Sequence, residues 1–243
     1  ENDDYVILSS GNLNNSGLID NNSSLVINGL LVNDINGFIE TTNTLTVGGT
    51  GSIDTKNSFT NTGDITINNL FTHDSGVLTN TGSITNNGTF VNKSSMTTNI
   101  FDNNNTFKIF NLGSLTISTS GTFTNKAAAT LINYGGITCS GTINNNSTFR
   151  NYKTLTISEN ALLNNTHNFT NYEPNPSTTD TIADSMNLTG VTPIVTNNGF
   201  IKHISGVILN KGTMNTTKSL KLDNLLTNSG ILSNSNKIRI NTT

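Results

Sequence analysis

Residues 59–96 read FTNTGDITINNLFTHDSGVLTNTGSITNNGTFVNKSSM. Apolar residues fall at Phe59, Ile65, Phe71, Leu78, Ile84, Phe90 and Met96, in steps of 6, 6, 7, 6, 6 and 6. An amphipathic helix repeats its apolar positions about every 3.6 residues and a half-buried strand about every 2, so neither alone carries this period. The neighbours recur as well. A Gly often stands two before the apolar residue, as in Gly63-Asp64-Ile65, Gly82-Ser83-Ile84 and Gly88-Thr89-Phe90. An Asn often stands two after it, as at Asn61, Asn80, Asn86 and Asn92. Thr and Ile favour strand, whereas Gly and Asn tolerate left-handed backbone and favour tight turns. Each hexad therefore reads as a short strand with one inward apolar side chain, closed by a corner made of Gly and Asn.

The ladder extends through the chain. Leu131, Ile137, Ile143, Phe149 and Leu155 step by six, and Ile201, Ile208, Met214, Leu220, Leu226, Leu232 and Ile238 step by 7, 6, 6, 6, 6 and 6. Some hexads carry apolar-x-apolar in place of apolar-x-Asn: Leu25-Val26-Ile27, Leu45-Thr46-Val47, Ile65-Thr66-Ile67, Leu115-Thr116-Ile117, Leu155-Thr156-Ile157, Leu220-Lys221-Leu222 and Ile238-Arg239-Ile240. The first three lie 20 residues apart, which is three ladder steps each, and the last two lie 18 apart, again three steps. This spacing predicts an all-β, parallel β-helix (a β-solenoid) with three short sides and about 18–20 residues per coil. The whole chain would then form a single domain of on the order of a dozen coils, a rod about 60 Å long at the usual strand spacing. Like residues would stack on like, with Asn side chains in axial hydrogen-bonded ladders. Phe107-Lys108-Ile109 falls out of phase, and the register is not legible between Met96 and Gly113.

The composition takes its meaning from this ladder. Of 243 residues, 131 are Asn, Thr, Ser or Gly, while 11% are charged and 33% hydrophobic. So polar a chain suggests either disorder or a repeat protein whose narrow core needs few apolar residues. A disordered chain has no reason to hold a register of six. The net charge of -3 leaves no basic footprint for nucleic acid. No apolar run approaches the roughly 20 residues of a membrane span. One cysteine, Cys139, excludes an intrachain disulfide and a cysteine-based zinc site. The first residue, Glu1, suggests a processed, secreted chain.

One segment interrupts the pattern. All three prolines, Pro174, Pro176 and Pro193, fall where the ladder stops after Phe169 and before Ile201. Proline cannot donate to a strand ladder, so residues 171–196 read as an inserted loop. It holds Glu173, Asp180 and Asp184, a local acidic cluster in a charge-poor chain and a candidate contact loop.

The Gly-Ser-Ile-Thr-Asn-Asn and Gly-Thr-Phe-Val-Asn hexads, grouped in coils near nineteen, resemble the repeats of filamentous-haemagglutinin-like and autotransporter-passenger adhesins. The resemblance covers roughly residues 5–170 and 198–240 and is one of repeat grammar, which viral fibres also use. It implies a right-handed rod projecting from a cell surface. Steps of eight, at Ile39, Ile53, Leu115, Phe123 and Leu131, also depart from the strict eighteen-residue coil of the left-handed hexapeptide helix.

Little chemistry is visible. His73, His167 and His203 are far apart, read as exposed polar residues, and form no metal-ligand pair; no metal or other cofactor is expected. Acids are scattered singly, whereas glycoside cleavage needs two carboxylates roughly 5–10 Å apart. Ice binding would need a flat array of Thr-x-Thr, which occurs irregularly, as in Thr44-Leu45-Thr46. Tyr5, Val6, Ile7 and Leu8 at one end, and Ile238 and Ile240 at the other, leave the ladder open, and stacking of such ends would build a filament. The sequence therefore points to a non-enzymatic, secreted or cell-surface structural protein that self-associates end to end or serves as an adhesin stalk. The alternative is a β-helix that binds or cleaves host or matrix glycans.

Overall fold

A computed structural model describes residues 6–110, 112–171, 194–198, 200–203, 207–210, 213–217, 219–223, 225–235 and 238–240. All-parallel strands stack as a β-solenoid of about 10 turns, and no helix occurs among the described residues. One sheet has 11 strands and the other 20. The larger is two stacks joined where Val77–Asn86, Ser95–Asn103 and Ser114–Asn125 run round a corner without a break. The result is three faces. Face 1 includes Ser24–Ile27, Thr44–Val47 and Asp64–Ile67; face 2 includes Leu30–Asn33, Ser52–Thr55 and Leu70–His73; face 3 includes Phe38–Thr41, Phe59–Asn61 and residues 77–80.

Each hexad is one strand on one face. Phe59, Ile65 and Phe71 lie on faces 3, 1 and 2, and one turn later Leu78, Ile84 and Phe90 stack on them in register. Outside the turn that holds residues 172–193, residues one turn apart are separated by as few as 17 (Ile84 and Phe101) and as many as 24 (Phe107 and Leu131). The longer turns bulge at corners, as at Gly48 to Gly51, Phe110 to Gly113 and Lys126 to Ala129. Phe107-Lys108-Ile109, out of phase in the sequence, lies on face 2 because the corner between Met96 and Phe101 is one residue short. The apolar-x-apolar hexads do not mark one side throughout: those at 25, 45, 65, 220 and 238 are on face 1, and those at 115 and 155 are on face 3.

The strands alternate buried and partly exposed residues, so each sends two side chains inward. The first inward position is apolar. Phe59, Ile65, Phe71, Leu78, Ile84, Phe90, Leu131, Ile137, Ile143, Phe149, Leu155, Met214 and Leu220 are all buried in one core cluster; Leu232 packs against it partly buried. Phe71 and Phe90 stack at 4.9 Å, and Phe101 stacks on Phe107 at 4.9 Å and on Phe123 at 5.1 Å.

The second inward position corrects the expectation for Asn. Asn61, Asn86, Asn92, Asn125, Asn133, Asn145 and Asn151 end strands, Asn80 lies within Val77–Asn86, and all are fully buried instead of forming left-handed corners. Among the described residues, positive φ outside glycine occurs only at Ala128 and Asn160. The amides stack along the axis. On face 1, Nδ2 of Asn86, Asn103, Asn125 and Asn145 donates to Oδ1 of Asn103, Asn125, Asn145 and Asn165 at 2.8, 2.9, 2.8 and 2.6 Å. On face 2, a second run links Asn133, Asn151, Asn171, Asn210 and Asn228. The other amide hydrogen reaches a main-chain carbonyl on the next face of the turn above, as from Asn125 to Thr148 and from Asn133 to Thr154. Within a run, each buried amide thus replaces its lost water with protein partners, and the oxygens of Asn61 and Asn86 are left open.

Glycine two before the apolar residue also has a different reason from the one expected. Among the described residues, only Gly11 and Gly76 have positive φ. A Cβ on Gly63, Gly82 or Gly141 would overlap the carbonyl oxygen of Asn43, Gly63 or Gly121 in the turn below, so the close stacking of corners excludes it.

Across residues 172–193, which are outside the described set, the ladder resumes in register: Leu155 pairs with Val195 forty residues on, and Phe169 with Ile208. Asn171 closes one strand and residues 194–196 belong to the next, so these ends of the expected insertion are parts of the solenoid. Glu173, Asp180 and Asp184 lie outside the described residues.

The ladders have a direction, which predicts unequal costs. Asn86 begins the face 1 run above Ile67, and its Oδ1 has no donor. Asn125→Leu would strand a donor on Asn103 and an acceptor on Asn145, and is expected to destabilise by about 2–6 kcal/mol. Each change also frees one main-chain carbonyl, of Thr148 or Thr106, but among the side chains Asn86→Leu strands the Asn103 acceptor alone and should lose about 1–3 kcal/mol. Urea denaturation of the two variants checks the order.

Candidate functional site

Any site must be built from side chains that the ladder turns outward or from groups that break its interior rule. Two residues break the rule. His73 occupies a second inward position on face 2, between Thr55 in the turn below and Asn92 in the turn above, where neighbouring turns place Asn or Thr. It is fully buried, which corrects its reading as an exposed residue. Its Nε2–H donates to the Ser95 carbonyl at 3.0 Å, and Nδ1 has no partner. Burial holds the imidazole below its ordinary pKa, against the raising effects of the Ser95 and Gly76 carbonyls and of Asp74. The other charged neighbour is Lys93, in the turn above, whose ammonium pairs with Asp74 at 2.7 Å. His167 is exposed, and the side chain of His203 is outside the described residues.

Cys139 takes the equivalent position on face 3, in a column between Ile117 and Ile157. Desolvation in this apolar stack pushes its thiol pKa up to about 12. A thiol that stays protonated is a poor nucleophile and a poor metal ligand.

The outward side chains form columns that the sequence reading missed. Acids read as scattered singly line up at the corner after face 2. Asp34, Lys56, Asp74 and Lys93 follow one another a turn apart, alternating in charge, and are followed by Phe110 and by Tyr134 and Tyr152, whose side chains are buried. Tyr134 and Tyr152 stack at 4.8 Å. The Ser16 hydroxyl and the Asn36 N–H hold the carboxyl of Asp34 below its ordinary pKa. On face 3, Thr60, Thr79, Thr97, Thr116, Thr138, Thr156 and Thr196 pair in sequence as one outward column. The signal for both was one-turn spacing, which becomes readable only when each turn's length is known.

The ends are resolved in part. Tyr5 lies outside the described residues. Val6–Leu8 forms a strand paired with residues 25–27. Ile238 packs partly buried on the core, and Ile240 is 65% exposed. Among the described residues, no group of three or more His, Cys, Asp or Glu is placed to hold a metal ion, and no helix is long and apolar enough to cross a membrane.

No family model matches the chain, and no curated protein or solved structure matches it. The fold is a parallel β-solenoid, compatible with β-helix repeat proteins.

The two interlopers give two expectations. His73 is neutral in the fold, whereas in the unfolded chain it takes a proton below about pH 6.5. Stability is therefore lost as pH falls from about 6.5 towards the lowered native value. His73→Asn, which restores a ladder amide, should flatten that part of a pH series of urea midpoints. Cys139 should react with a thiol reagent only when the chain is denatured, and labelling kinetics in and out of urea read this directly.

Proposed function

We propose that this chain is a non-enzymatic structural β-solenoid of the extracellular space. It would act as a filament subunit or as the stalk of a surface adhesin of the filamentous-haemagglutinin or autotransporter-passenger kind. The observation that carries the proposal is axial continuity. Strands stay in register from turn to turn on all three faces, long runs of Asn amides do so on faces 1 and 2, and the register resumes after residues 172–193. Such an object is stiff along one axis because each turn contacts only its neighbours, through hydrogen bonds aligned with that axis.

The last described turn supports assembly along the same axis. Leu226, Leu232 and Ile238 face inward but are only partly buried. Another turn stacked on them would complete the core, and if a second copy supplied it the contact would be heterologous and open-ended.

Electron microscopy of the purified chain over a range of concentrations tests the filament version. Rods that lengthen with concentration are expected, and Leu232→Asp should shorten them by placing a charge at the stacking surface. Uniform particles one chain long at every concentration would count against it.

A further inference from the structure

One outward column on face 1 carries a charge pattern found nowhere else among the described residues. Register places Lys202 on Asn164, Lys221 on Lys202, and Arg239 on Lys221. Three cations therefore sit side by side on consecutive turns about 4.8 Å apart. Like charges directly opposite on neighbouring strands repel; two acids, Asp20 and Glu40, meet this way on face 3, whereas Lys93 pairs with Asp74 and Lys126 with Asp102. Here one acid, Asp223, reaches Lys221 at 2.8 Å, and no carboxylate among the described residues pairs Lys202 or Arg239. Beside the column runs a cleft of about 440 Å³, lined by Leu162, Lys202, Ser219, Lys221 and Arg239.

We propose that this column binds a short linear anionic oligosaccharide, a chain whose rings carry carboxylates or sulfates, laid along the solenoid axis. The cations lie in a line and do not converge on a point, so the fitting ligand has its charges spread along an axis. Three cations fall short of the 4–8 basic residues of a cluster that docks on anionic lipid headgroups. They also fall short of the 6–10 phosphate contacts of a strongly salt-dependent nucleic-acid binder. Leu162 and Ser219, which also line the cleft, offer one aliphatic contact and one hydroxyl, which suit the CH face and the hydroxyls of a sugar ring. The site lies on a lateral face and does not depend on whether the rod polymerises.

Calorimetric titration of the 243-residue chain with trigalacturonate and a sulfated trisaccharide tests this, with cellotriose and inorganic phosphate as comparisons. At least one anionic trisaccharide should bind, more weakly as salt rises. The Lys202→Gln, Lys221→Gln, Arg239→Gln triple variant should lose affinity at least tenfold. The Lys202→Arg, Lys221→Arg variant should retain binding, which separates lost charge from lost fold. Failure of both anionic sugars to bind would overturn the proposal, as would equal affinity for cellotriose or phosphate. Undiminished binding by the triple variant, or loss of binding in the arginine variant, would overturn it too.

Discussion

The interaction on which the structure depends is the axial hydrogen bond between buried asparagine amides. A primary amide carries two donors and a strongly accepting oxygen on one short side chain. At the last inward position of a strand, one donor meets the oxygen of the amide above, the other meets a main-chain carbonyl on the next face, and the oxygen receives the amide below. Neither Asp, which lacks the donors, nor Leu, which lacks both, can replace a middle member without orphaning its neighbours. The ladder is therefore self-consistent only as a run, and a run that starts on an apolar residue leaves an oxygen open, as at Asn86 above Ile67.

This explains how a chain with 33% hydrophobic residues can have a core. Each strand buries about two side chains, one apolar and one amide, hydroxyl or second apolar group, while main-chain bonds to the adjacent turns satisfy the backbone. Parallel sheets usually need both faces covered. Here one face suffices because the sheet closes on itself. The same regularity turns each outward position into a column, so a residue's neighbours a turn away decide its environment. Alternating charges at one corner neutralise each other, whereas stacked cations on face 1 do not.

Much of this was legible in the sequence. The step of six, the three-step coil and the inward apolar residues from Phe59 to Leu220 follow from periodicity alone, because only inward positions must be apolar. The role of Asn was half legible: its stacking followed from the repeat, but its place did not. Turn propensity suggests a corner, whereas strand pleat points the residue two beyond an inward one inward again. Gly63 and Gly82 were likewise legible as necessary but for another reason, since the overlap they avoid is with a different turn.

Sequence by itself determined the architecture, because a repeat with one apolar residue per hexad has few ways to bury them other than a three-sided coil. Tertiary structure decided which turns are long and which are short, and so which residues stack. The turn from Ile84 to Phe101 and the turn from Phe107 to Leu131 differ by seven residues, taken up at corners. Only once those corners are placed does His73 enter an amide column, Cys139 an isoleucine column, and Lys202, Lys221 and Arg239 a single line. Lateral neighbours in a solenoid are set by the length of the turn between them, and that length is fixed by packing and not by local sequence.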